Sequence, residues 1–267
     1  MASIYDTIYP KFKKEFTQIE LQEIYTPTEA ELKFADKVTG RKSTKLCFLI
    51  TLKCFQRLGY FISIINVPDS IASHISDFSN ISISETTKLN YNKSGIKKKH
   101  IQIIRELLNV KPFDHEARHL IVTAIGKAAK TKDEPTDLIN IAIEELVKNS
   151  YELPAFSTIE RAVNRIRVSV NRSFYRKIFD SLDEEEVNKI NNLLENDEDL
   201  KSTPWNMIKK ESSSPTLNHL KEIVNQLSWL KEQSIAVNAL QEIPYVKIKQ
   251  FSLEAKALNA TKMRELE

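Results

Sequence analysis

Four arginines are spaced as they would be along one side of a helix. They are Arg161, Arg165, Arg172 and Arg176, which together form the arginine row. At about 100° per residue, with Arg161 at zero, Arg172, Arg165 and Arg176 fall at about 20°, 40° and 60°. A guanidinium is planar and always charged, so it suits phosphate oxygens and the guanine edge. A rigid row of four therefore indicates a surface that binds a nucleic-acid backbone.

The opposite side of the same segment is apolar. Between about 140° and 220° on the helical wheel lie Ile159, Val163, Ile166, Val170 and Phe174. This division predicts one amphipathic helix from Leu153 to Phe179, with one side packed and the other exposed. Surface helices also carry arginines that are only solvated or are paired with acids, and the spacing alone leaves that alternative open.

A zinc-binding pattern occurs earlier in the chain. His115, Glu116 and His119 spell H-E-x-x-H, which places two imidazoles on one helix face. The pattern directly follows Asp114, which is predicted to cap this helix; it contains the charged Arg118, and no motif for a third ligand comes after it. We therefore expect no metal site, and we expect Glu116 to complement the dipole of a helix start.

Three helices are predicted before the arginine row, and they must position it. Periodic apolar residues indicate helices at 96–110, 113–130 and 136–150, followed by a short connection through Leu153 and Pro154. A helix-turn-helix requires a tight connection and then a capped recognition helix with polar first turns. Arg172 and Arg176 are predicted to follow the backbone. Base edges and nearby phosphates are assigned to the leading end, which comprises Ser157, Thr158, Arg161, Asn164 and Arg165.

Two other basic clusters are candidates for DNA contact. Arg41, Lys42 and Lys45 stand at the start of a strongly apolar helix that ends at Gly59, where free backbone N–H groups also favour anions. An ordinary solvated helix end explains this cluster equally well. The second cluster comprises Lys97, Lys98 and Lys99.

Composition favours an almost wholly helical protein. Only four of the 267 residues are glycine and 41% are hydrophobic, with apolar residues recurring at helical spacing. No apolar run approaches the roughly 20 residues that cross a bilayer, and the start of the chain lacks a signal-peptide core. We therefore expect an all-α, cytoplasmic protein that does not bind membranes. Cys47 and Cys54 are expected to be small core residues, with no disulfide.

Charge is strongly segregated along the chain. Residues 93–177 hold 17 Lys and Arg against 10 Asp and Glu, whereas residues 178–200 hold one Lys against nine acids. A basic region that stops at an acidic one indicates a polyanion-binding module with a defined boundary.

Together these patterns predict two tandem helix-turn-helix-like modules and a helical C-terminal extension. The first module covers residues 1–92, including a polar linker that begins near residue 79 and runs to about residue 95. The second module covers 93–180, and an acidic helix with the extension covers 181–267. The leucine and aromatic positions between Leu217 and Trp229 are expected to be core residues.

Several segments, taken in order, resemble one protein family. RKSTKLCFLITLKCFQRLGYF contains the pattern L-K-x-F-Q-x-x-G-x-F, and LPAFSTIERAVNRIRVSVNRSFYRKI contains L-P-x-x-S-T-x-E-R. The same layout continues in FTQIELQEIYTPTEAELKF, NVPDSIASHISD, LDEEEVNKINNLL and EIPYVKIKQFSLEAKALNATKMREL. Over most of its length the chain resembles the N-terminal region of the large transposases of replicative, cointegrate-forming bacterial transposons, the Tn-three type.

The resemblance implies helical DNA-binding domains that recognise the terminal inverted repeats of a transposon, in bacterial cytoplasm at the nucleoid. In that family, strand transfer depends on an acidic metal-binding triad in a nuclease-like domain much further along the chain. We expect this chain to be the N-terminal part of such a transposase without that catalytic domain, and therefore to bind duplex DNA, to need no cofactor and not to be an enzyme. Self-association through a longer protein is left open. The alternative function is a helical protein-interaction scaffold whose basic side meets an acidic partner.

Overall fold

The computed structural model describes residues 3–82, 84–195, 203–209, 215–232 and 240–264. Within these ranges every regular element is a helix, which confirms the all-α prediction. The α-helices are α1 (Gln18–Glu20), α2 (Glu29–Val38), α3 (Lys42–Leu58), α4 (Asp69–Ser79), α5 (Glu85–Lys93), α6 (Gly95–Leu108), α7 (His115–Ala128), α8 (Pro135–Lys148), α9 (Phe156–Asp180), α10 (Glu184–Asn192), α11 (Pro204–Ile208), α12 (Leu217–Glu232), α13 (Tyr245–Ala257) and α14 (Ala260–Arg264).

The described residues pack into two compact units. The first comprises the residues up to Ile125 together with Glu134–Asn164, and the second comprises Gly126–Asp133 together with the residues from Arg165 onward. Both α7 and α9 contribute residues to each unit. The predicted division into modules at residues 92 and 180 stays a prediction.

α3 is the central helix of the first unit. All its residues from Leu46 to Phe55 are buried, and α2, α4, α5 and α6 pack around it. Cys47 and Cys54 lie in this core as free thiols, and burial raises the pKa of both to about 12. The helix ends as predicted at Gly59, whose φ of 70° is the left-handed conformation that glycine adopts readily.

The prediction of a polar linker near residues 79–95 is wrong over most of its length. Glu85–Lys93 form α5, and Tyr91 turns inward until only 5% of it is exposed. Its hydroxyl lies 2.9 Å from Nδ1 of His100 on α6, and burial lowers the pKa of that imidazole. A single inward tyrosine gives too little apolar periodicity to indicate a helix.

In the second unit, α12 departs from its predicted role. Four of the apolar residues expected in the core are exposed instead: Leu217, Leu220, Val224 and Leu227. They are spaced by three and four residues and so share one side of the helix. The prediction of a core position is wrong for these four.

Candidate nucleic-acid interface

The segment before α9 fixes where that helix begins. α9 starts at Phe156 and not at Leu153, because Pro154 disfavours helical backbone in the residue before it. The N–H of Leu153 donates to the carbonyl of Gly59 over 2.8 Å, and the hydroxyl of Tyr9 donates to the carbonyl of Pro154 over 2.8 Å. Both bonds lie within the first unit, so they position the first turn of α9 there.

An ion pair stabilises the same segment. Arg105 on α6 donates from Nε and Nη2 to the two carboxylate oxygens of Glu152, over 2.9 and 2.7 Å. Oε1 of Glu152 also accepts the N–H of Phe113 over 3.1 Å. The connection from α8 to α9 spans residues 149–155, which is longer than the three or four residues of a helix-turn-helix turn. This length does not match the tight connection that a helix-turn-helix requires, and the helix-turn-helix interpretation stays a prediction.

The first half of α9, residues 156–164, belongs to the first unit and is amphipathic as predicted. Its buried residues are Ile159 and Val163. The side chains assigned to base contact in this half are exposed or half-buried: Ser157, Thr158, Arg161 and Asn164. Nε of Arg161 donates to the carbonyl of Ser157 over 3.0 Å, a bond to the backbone of its own helix.

The second half of α9, residues 165–180, belongs to the second unit and continues the pattern. Arg165, Arg172 and Arg176 are exposed, while the apolar side chains of the opposite side are at least half-buried: Ile166, Val170 and Phe174. No member of the arginine row forms an ion pair with an acidic side chain in the described part of the chain. The alternative of arginines paired with acids therefore does not apply within those residues.

The carboxylate of Asp133 is occupied by other cations of the second unit. Lys247 on α13 is 0% exposed, and its Nζ lies 2.5 Å from Oδ1 of Asp133 and 2.9 Å from Oδ1 of Asn171. Nη1 of Arg167 lies 3.5 Å from Oδ2 of Asp133 and donates to its backbone carbonyl over 3.3 Å. Arg167 falls at about 240° on the wheel, away from the arginine row. This network anchors the flank of α9 to α13 and leaves the row exposed.

The three basic residues at the start of α3 have different surroundings. Arg41 and Lys42 are exposed. Lys45 is half-buried, and its Nζ lies 2.6 Å from Oδ1 of Asp36. Arg41 and Lys42 are therefore available to an anion, whereas Lys45 is already held by a carboxylate.

The three lysines at the start of α6 also have different surroundings. Lys98 and Lys99 are exposed. Lys97 is half-buried, its Nζ donates to Oδ1 of Asn92 over 3.0 Å, and burial lowers its pKa. Only two of the three lysines thus present their charge fully to solvent.

The zinc-like pattern lies at the first turn of α7. His115 and His119 are exposed, and Oε2 of Glu116 accepts a hydrogen bond from the hydroxyl of Tyr151 over 3.3 Å. Oδ1 of Asp114 accepts the N–H of Ala117 over 3.0 Å, which confirms the predicted cap. Across the described ranges, no three His, Cys, Asp or Glu side chains are grouped as a metal site would require.

Three exposed apolar side chains also lie on the outer side of α9, and charge spacing does not reveal them. They are Val168, Tyr175 and Phe179. Their wheel angles of about 340°, 320° and 0° place them beside the arginine row. The ring of Tyr175 contacts that of Phe251 on α13, with 4.7 Å between the centroids, so Tyr175 is partly used in packing.

Comparison with known proteins places the chain among transposase-related sequences. Residues 4–166 match the family described as Domain of unknown function (DUF4158). The transposase for transposon Tn1546 from Enterococcus faecium is 21% identical over 235 residues, which are 85% of this chain and 24% of that protein. The transposase for transposon Tn501 from Pseudomonas aeruginosa is 22% identical over 213 residues, 79% of this chain and 21% of that protein.

A third relative matches a shorter stretch. The transposase for transposon Tn3926 from Escherichia coli is 25% identical over 134 residues, which are 50% of this chain and 14% of that protein. The chain thus spans between 14% and 24% of the length of these three relatives. The matches confirm the resemblance to the N-terminal region of Tn-three-type transposases. In the described residues, no helix has the length and apolar character needed to cross a membrane.

Proposed function

We propose that this chain, which belongs to the family described as Domain of unknown function (DUF4158), binds duplex DNA at the terminal inverted repeats of a transposon. The transposase relatives support the proposal. The observation that carries it is the exposure of the arginine row, with Arg161 in the first-unit half of α9 and Arg165, Arg172 and Arg176 together in its second-unit half. The proposed role is recognition, and it does not include cleavage or joining of DNA.

Affinity in this proposal comes mainly from phosphate contacts. Each lysine or arginine that neutralises a phosphate releases condensed counterions, so binding weakens as salt rises. With four to six phosphates contacted, log K should fall against log salt with a slope of roughly −4 to −5. Beyond the arginine row, the exposed cations proposed to add contacts are Arg41, Lys42, Lys98 and Lys99.

Selectivity comes from the leading end of α9, which we place in the major groove. Ser157, Asn164 and Arg161 have side chains that can donate or accept hydrogen bonds at base edges. The hydrogen bonds made by Leu153 and Pro154 hold this end in one position. A fixed first turn favours selective contacts because less conformational entropy is lost on binding.

Binding to two labelled duplexes tests the proposal. One duplex carries the terminal repeat and the other the same bases in scrambled order, and fluorescence anisotropy gives the affinity at several salt concentrations. We expect tighter binding to the repeat, together with the salt slope given above. Equal affinity for both duplexes would remove the claim of selective recognition and would favour the alternative, a basic surface that meets an acidic protein.

A further inference from the structure

Val168 is an exposed apolar side chain set among arginines. It is 54% exposed, while its apolar neighbours Ile166 and Val170 are turned to the packed side of α9. Arg165 lies about one turn before it and Arg172 about one turn after it, all within roughly 60° on the wheel. These residues belong to the second unit, so the arrangement does not depend on the other unit.

The position of Val168 suits contact with a base and not with a phosphate. Its side chain is short and has no hydrogen-bonding group, whereas the arginines on either side are long and charged. When a helix lies in the major groove, a long side chain such as Arg172 can reach a phosphate and Arg165 can reach a base edge, and a short side chain between them faces the bases. The apolar group on base edges in the major groove is the 5-methyl of thymine, which is the natural partner of a small apolar side chain.

We propose that Val168 contacts the 5-methyl group of one thymine in the DNA bound by α9, and so selects an A·T pair at that position. This inference rests on the proposed function. It adds a prediction about the bound DNA, which is that a thymine lies against the part of α9 between Arg165 and Arg172. It also places the middle of α9 in the major groove.

Replacing thymine by deoxyuridine tests this directly, because the two bases differ only in that methyl group. Each thymine of the repeat is replaced in turn, and affinities are measured with the full chain. At one position the wild type should lose roughly fourfold in affinity, which corresponds to about 0.8 kcal/mol for one buried methyl group. In Val168→Ala, that duplex and the unmodified repeat should bind equally.

Val147→Ala is the matched control, because Val147 on α8 is 61% exposed and lies outside α9. It should keep the full difference between thymine and deoxyuridine. Wild-type affinity that is the same for every deoxyuridine duplex would overturn the inference, as would a methyl effect that persists in Val168→Ala. Failure of the wild type to prefer the repeat over the scrambled duplex would instead overturn the proposed function, and this inference with it.

Discussion

Replacing Arg176 by alanine should remove one phosphate contact and leave the fold intact. Its guanidinium is exposed and bonds to none of the described residues, so the free energy of unfolding should change by less than about 0.5 kcal/mol. One phosphate contact contributes about 0.9 to the slope of log K against log salt, or roughly eightfold in affinity at 0.1 M salt. The loss should be equal on repeat and scrambled duplexes, because phosphate contacts do not depend on sequence.

Arg167→Ala is the control for this prediction. Arg167 lies on the same helix and carries the same charge, but it is held by Asp133. Its loss should leave the salt slope unchanged and should lower the free energy of unfolding by about 1 kcal/mol, since Lys247 still pairs with that carboxylate. Anisotropy at four salt concentrations and urea unfolding measure the two quantities. An equal loss of slope in Arg167→Ala and Arg176→Ala would refute the assignment of the DNA-facing side from wheel position.

Three other outcomes follow from the structure. Arg161→Ala and Arg165→Ala should each cost about 1–3 kcal/mol on the repeat and less on the scrambled duplex if they contact bases; equal losses in a competition assay would assign them to the backbone. Lys247→Met should lower the free energy of unfolding by about 3 kcal/mol, because Asp133 loses its buried cation; a change below about 1 kcal/mol in urea titration would contradict this. Burial lowers the pKa of His100, so the unfolded state binds the proton more readily, and stability should fall as pH drops below about 6.5. His100→Gln should weaken that dependence, and thermal melts with the same pH profile in both proteins would count against it.

The outer side of α9 could be predicted because its determinants are local. Wheel angles depend only on the twist of a single helix, so the exposure of Arg165 and the burial of Ile159 required no knowledge of other elements. The cap at Asp114 depends on only a few neighbouring residues, and it too was predictable. Local physics thus gives the orientation of the candidate site on its helix.

Long-range partners could not be predicted in this way. Lys247 and Asp133 are 114 residues apart in sequence, and no charge pattern distinguishes this buried lysine from the solvated ones. Lys45 is a second example. Its spacing indicates a free cation, but Asp36 on α2 pairs with it. Periodicity likewise predicts that α12 is a helix, but it does not determine whether another element covers Leu220.

Affinity for a polyanion and selectivity for one sequence place different demands on α9. Exposed charge is sufficient for affinity, because counterion release does not depend on sequence. Selectivity requires side chains held within contact distance of particular base edges. The carbonyl of Gly59 accepts the N–H of Leu153 directly before α9, and Gly59 also ends α3 in a left-handed conformation. A Cβ added there would lie an ordinary 3.5 Å from Cδ1 of Leu153, so backbone conformation and not space favours glycine. The central helix of the first unit thereby sets the starting position of the helix that we propose selects the repeat.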